Sequence, residues 1–196
     1  MPVKIIHPDH VEIIGLGHVL LTTPHTASPN ADLNTGTIVE EAALTSRSYA
    51  VIGRVSREFL DLNRLQSAQL EFRRSIEGFI AEDGIRYLLD IHGKEEPGVD
   101  IVITAGQTCS DSTTELVRSR LAKDFTVKVN NQYKGVESGS IVTSSNRRDA
   151  KGNFVVETVQ IEFGHEERQF QREKVISDIS EIADLLNARL MVSRGD

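Results

Sequence analysis

Tyr87-Leu88-Leu89-Asp90-Ile91 reads as a buried strand, and His92-Gly93 follows at its end. The run is too short for an ordinary helix and rich enough in branched apolar residues for a strand covered on both faces. Similar runs stand at 18–23 (HVLLTT), 49–53 (YAVIG), 99–104 (VDIVIT), 125–129 (FTVKV) and 155–163 (VVETVQIEF). Between them lie helical patterns at Thr35 to Arg47, Ser67 to Glu82, Thr113 to Lys123 and Lys174 to Leu190. Ser110, Asp111 and Ser112 offer caps for the third. Strand and helix alternating in this way predict an α/β fold around a mostly parallel sheet.

In an open α/β sheet, ligands bind beyond the carboxyl ends of the strands. Two of the six histidines stand at such ends. His25 follows HVLLTTP and His92 follows YLLDI. Each alone reads more readily as a loop histidine. Two strand-end imidazoles together suit zinc or acid–base work. A third ligand could come from Asp32, in the loop after His25, or from Glu40 or Glu41 inside the following helix.

Two further groups stand beside these. Glu162 sits between Ile161 and Phe163, where a carboxylate is costly unless paired, exposed or functional. Asn63-Arg64 could grip a carboxylate through the planar guanidinium, or Arg64 could pair with Asp61. The polar segment 130–153 is long for a bare connector, which points to a functional loop or a small hairpin.

Composition narrows the function classes. A chain of 196 residues, 39% hydrophobic and 26% charged, is expected to form a single domain over 1–196. A net charge of −7 argues against nucleic-acid and membrane partners. With Cys109 the single cysteine, an intrachain disulfide and a multi-thiolate metal site are excluded. No apolar stretch of membrane-spanning length or leader pattern is visible, so a cytoplasmic location is expected. Gly15-Leu16-Gly17 lacks the rest of a dinucleotide loop.

Taken in order, TTPHTA (22–27), GRVSREFLDLNR (53–64), LLDIHG (88–93), VNNQYKGVESGSIV (129–142) and VQIEFG (159–164) resemble the N-formylglutamate amidohydrolase family. The resemblance spans roughly His18 to Glu166. It implies a three-layer α/β/α fold like that of zinc carboxypeptidases and aspartoacylases, with a mixed, mostly parallel sheet. It implies Zn2+ held by His25, His92 and a carboxylate between them, taken as Asp32 with Glu40 as the alternative. Glu162 would be the general base and then acid. Asn63, Arg64, Tyr133 and Lys134 would contact substrate. The activity implied is hydrolysis of an acidic small-molecule amide such as an N-acyl amino acid. A γ-glutamyl-chain hydrolase with a similar site, or a binding protein without turnover, is the alternative.

Overall fold

The computed structural model describes residues 1–95, 98–130, 140–144 and 156–192. The chain runs β1 (Val3–Ile6), β2 (His10–Ile14), β3 (Val19–Thr23), α1 (Thr35–Ser46), β4 (Tyr49–Gly53), α2 (Glu71–Glu82), β5 (Tyr87–Gly93), β6 (Ile101–Ala105), α3 (Asp111–Leu121), β7 (Val127–Val129), α4 (Ile141–Ser144), β8 (Glu157–Phe163), α5 (His165–Phe170) and α6 (Arg172–Val192).

The strands form one eight-stranded mixed sheet in the order β1-β2-β4-β3-β5-β8-β6-β7. Strands β4, β3, β5 and β8 are mutually parallel at its centre. β2 and β6 run against that direction. Every residue of β3 and β4 is buried, which is why these strands read as unbroken apolar runs.

Strand alternation sorts side chains between two layers of helices. Leu21, Ala50, Leu89, Ile91 and Ile161 pack in a core that includes Ile38 of α1, Val117 of α3 and Ile179 of α6. Leu20, Val51 and Leu88 pack on the opposite side with Phe72, Ile76 and Ile80 of α2. The architecture is the expected α/β/α sandwich.

The expected strands and helices are present with shifted ends. Ser110 caps α3, its hydroxyl accepting the Thr113 N–H at 3.2 Å. The β1–β2 hairpin and the short helices α4 and α5 went unread. The β1–β2 hairpin escapes periodicity because all four β1 residues are exposed. Helix α5, at six residues, is too short to show a period. Most of segment 130–153 falls outside the described residues; within it, α4 places Ile141 in the α2-side core.

Candidate metal centre

The site grows from the parity of β5. Leu88, Asp90 and His92 share the face that packs toward α2. Toward the carboxyl end that face turns from apolar to polar. Thr22 of β3 donates to Asp90 Oδ1 at 2.7 Å. On β8, Gln160 lies beside Asp90 and Glu162 beside His92 in parallel register. All of this stands where the strands' carboxyl ends open a crevice.

His25 comes from the loop that leaves β3. The Asp32 N–H donates to the His25 carbonyl at 2.6 Å and so folds the intervening residues back on themselves. The 56–57 segment pins that fold, with Ser56 Oγ donating to Pro29 O and Arg57 Nε to Asn30 O, each at 2.6 Å. Gly53 is needed here. A Cβ on it would fall 2.4 Å from the Pro24 carbonyl oxygen, just before His25.

These folds bring His25, Asp32 and His92 together, each at most 6% exposed. Asp32 Oδ2 lies 3.5 Å from His25 Nδ1 and 3.5 Å from His92 Nδ1. The other nitrogen of each ring faces an acid. His25 Nε2 is 2.7 Å from Asp61 Oδ1, and His92 Nε2 is 2.9 Å from Asp90 Oδ2. Such contacts hold a proton on Nε2 and leave Nδ1 as the nitrogen that faces inward, as carboxylates do behind metal-ligating histidines. Asp32 Oδ1 accepts from Arg57, and Oδ2 accepts the Gly93 N–H at 3.0 Å.

The electrostatics favour a cation. Burial alone would raise the Asp32 carboxyl. The imidazoles of His25 and His92 and the Gly93 N–H outweigh it, holding Asp32 far below the usual carboxylate range. Burial alone would lower His92; Asp90 and Asp32 overcome it and push the imidazole up to about 10. Asp61 is held down to about 2, against its own burial, by His25, the Asn63 N–H and Arg64. Three carboxylates thus gather positive charge at one buried point.

A metal fits the donors present. His25 Nδ1 is buried and makes no hydrogen bond. An imidazole nitrogen left so is costly unless something else takes its lone pair. Contacts of 3.5 Å between donor atoms are close to the edge of a tetrahedron whose metal bonds are ~2.0–2.1 Å. Two imidazoles and a carboxylate are a zinc-type donor set.

Asp32, not Glu40, stands with the histidines. Glu40 points away on α1, 2.5 Å from Lys4 Nζ. Glu162 lines the same cleft and accepts from Gln160 Nε2 at 3.0 Å. Asn63 borders the cleft but is held within the fold: its Oδ1 accepts the Ile141 N–H at 2.8 Å, and its Nδ2 is 3.5 Å from His92 Nε2. Arg64 lines the cleft and also lies 3.5 Å from Asp61, so both readings of it hold in part. Tyr133 and Lys134 lie outside the described residues.

Sequence reasoning passed over Arg57, Asp61 and Asp90 as members of the site. Asp90 was findable, because a strand places residues two apart on one face. Asp61 read only as a partner for Arg64. Arg57 lies in the GRVSREFLDLNR stretch, but no spacing ties it to Asp32.

No family model matches the sequence, and no curated protein matches it. Solved structures do. A bacteriophage poly-gamma-glutamate hydrolase superposes with a TM-score of 0.63 at 12% identity, over 95% of this chain and 92% of its own. The zinc-free form of YndL superposes with a TM-score of 0.61 at 13% identity, over 92% of this chain and 91% of its own. The fold is zinc-carboxypeptidase-like. A metallo-carboxypeptidase from Burkholderia cenocepacia also matches, with a TM-score of 0.55 at 12% identity, over 93% of this chain and 61% of its own. These likenesses are of fold. The N-formylglutamate amidohydrolase resemblance rests on its motifs alone.

Proposed function

We propose that the protein is a zinc-dependent hydrolase that cleaves the amide bond of an acidic N-acyl amino acid or peptide. The observation that carries this is the convergence of His25 Nδ1 and His92 Nδ1 on one oxygen of Asp32, each ring backed by its own acid. His25, Asp32 and His92 hold the ion. When bound, zinc supplies Lewis acidity toward an amide carbonyl and acidifies water toward pKa ~7.

The rest is done by the chain. Glu162 neighbours His92 in strand register, so their Cα atoms stand about one strand spacing apart and both side chains line the cleft. It takes the proton of the attacking water and returns it to the leaving nitrogen as the C–N bond breaks. The cleft, about 510 Å³, suits an amino-acid-sized substrate. Arg64, Lys94 and Lys128 line it and favour a negatively charged one. A γ-glutamyl chain is the second reading: several cations along one cleft suit several carboxylates, and a poly-gamma-glutamate hydrolase shares the fold.

The test is metal content and hydrolysis measured together. Purified protein should bind zinc and hydrolyse an N-acyl glutamate. Glu162→Gln should keep zinc and lose ~10²-fold or more in kcat. Hydrolysis at the parent rate in that variant would remove Glu162 from the chemistry. Zinc binding with no hydrolysis of either amide class by the parent protein would leave a binding protein.

A further inference from the structure

Strand register places a cation in line with the metal centre but far from it. His92 of β5 pairs with Glu162 of β8, Glu162 with Val102 of β6, and Val102 with Lys128 of β7. Residues paired directly across strands project on one face of a sheet. All four line the cleft. They make one row across the cleft floor, with a metal ligand at one end and an ammonium on the edge strand at the other. Three strand spacings of ~4.8 Å put the Cα atoms of His92 and Lys128 about 14 Å apart.

Arg64 stands on the other side of the metal centre. In the strand order β4-β3-β5-β8-β6-β7, the strand that leads to Arg64 and the strand that carries Lys128 flank β5 on opposite sides. Arg64 is 3.5 Å from Asp61, which is 2.7 Å from His25, so it is held to the β3 side of the cleft. Cations therefore flank the metal centre in both directions.

The far end of the row offers more than charge. Asn130, two residues beyond Lys128, and Thr104 of β6 line the same stretch of cleft. The Asn130 N–H donates to Ile103 O at 2.7 Å, which carries the β6–β7 pairing one step further. Val102 lies half-buried between Glu162 and Lys128. An apolar floor followed by an ammonium, an amide and a hydroxyl fits a side chain of methylenes that ends in a carboxylate. A lysine on an edge strand can also serve to block pairing with another chain. That role needs a charge only at the sheet edge, not one in register with Glu162 and His92.

We propose that Lys128 and Asn130 form a second carboxylate subsite, which suits the cleft to a peptide with an acidic residue on each side of the scissile amide. The inference rests on the hydrolase reading of the metal centre and favours a peptide over an N-acyl amino acid. An extended chain advances ~3.3–3.6 Å per residue, and the four-carbon stem of Lys128 reaches back along the row. The second carboxylate thus falls about one to two residues from the bond that is cleaved. A glutamate with a one-carbon acyl group, held by Arg64, does not reach it.

The test uses zinc-loaded full-length protein and acetyl-glutamyl-glutamate in α- and γ-linked forms. In each, the free carboxylate of the first residue is either intact or amidated. For the linkage that is cleaved, kcat/KM for glutamate release should be ~10-fold higher with that carboxylate intact. Lys128→Ala should bring the ratio close to one, slowing the intact peptide far more than the amidated one, and Lys128→Arg should restore it. A ratio near one in the parent overturns the proposal, and so does a ratio that Lys128→Ala leaves unchanged. Cleavage of neither peptide by the parent would remove the hydrolase reading, and calorimetric binding of the same peptides then decides the subsite. Tighter binding of the intact peptide by the parent, lost in Lys128→Ala, supports it. Equal binding of intact and amidated peptides by the parent overturns it.

Discussion

Asp90 Oδ2 lies 2.9 Å from His92 Nε2, and the two residues stand two apart on one strand. The pleat keeps both side chains on one face, so the acid orients the imidazole without help from a loop. Thr22 fixes the acid in turn. Asp90→Asn keeps the shape and removes the charge that holds the ring proton on Nε2. It should weaken zinc binding at the cleft ~10–100-fold with little change in secondary structure. Competition against a chelator of known affinity measures the change. An unaltered affinity would mean that His92 is oriented by packing alone.

Gly93 lies where the loop carrying Asp32 meets the end of β5. Its N–H donates to Asp32 Oδ2, and a Cβ there would fall 2.5 Å from Arg168 Cζ. Arg168 cannot swing away. It is 1% exposed, and its guanidinium donates to the carbonyls of Phe163, Gly164, Leu33 and Lys94. Gly93→Ala should therefore cost ~1–3 kcal/mol of stability by overpacking. It should also lower zinc occupancy, because the displaced strand end carries the Asp32 contact. Denaturant titration and elemental analysis of one preparation test both effects.

Asp178 of α6 gives a pH signature far from the cleft. It is 1% exposed and lies 2.7 Å from Arg120, but its Oδ2 meets no donor. Burial pushes the carboxyl up to about 6 against the pull of Arg120. A folded value above the unfolded one, near 3.9, means that the fold prefers the protonated acid. This contribution is complete below about pH 4 and is lost as pH rises through about 6. Asp178→Asn supplies a donor at the same position and removes the charge. The stability of parent minus variant should fall between pH 4 and pH 7. A difference that stays flat across that range would mean Asp178 is ionised in the fold throughout.

The central sheet and both cleft histidines were legible because each depends on local pattern. Runs such as VLLTT and YLLDI carry enough apolar residues to mark central strands, and His25 and His92 stand at or just beyond their ends. The choice between Asp32 and Glu40 was not legible. It is made by one backbone contact, Asp32 N–H to His25 O, that no spacing predicts. Asp61 and Asp90 were passed over for another reason. Both stand inside the motifs LDLNR and LLDIHG, but each faces the nitrogen of its imidazole that points away from Asp32, a contact that spacing does not reveal. The β1–β2 hairpin stayed hidden because its first strand buries nothing.

Under the proposed function, Arg64 is the residue that tests the substrate class. Its Nε lies 3.5 Å from Asp61 Oδ2, with the side chain 43% exposed. A pair that long and that open stabilises by under ~1 kcal/mol, so Arg64→Ala should fold normally. In the cleft the same guanidinium can meet a carboxylate with two parallel donors, each charge-assisted bond contributing ~1.5–3 kcal/mol. Loss of that contact should lower kcat/KM for an N-acyl glutamate ~10–100-fold. The penalty should be much smaller for the analogue whose carboxylate is amidated, since that substrate never made the contact. Removing Arg64 also leaves Asp61 with one cation fewer beside His25, which would act on both substrates alike. The ratio between the two penalties therefore isolates recognition from any effect on the metal centre. Equal penalties would assign Arg64 to support of Asp61 and leave carboxylate recognition to Lys94 and Lys128.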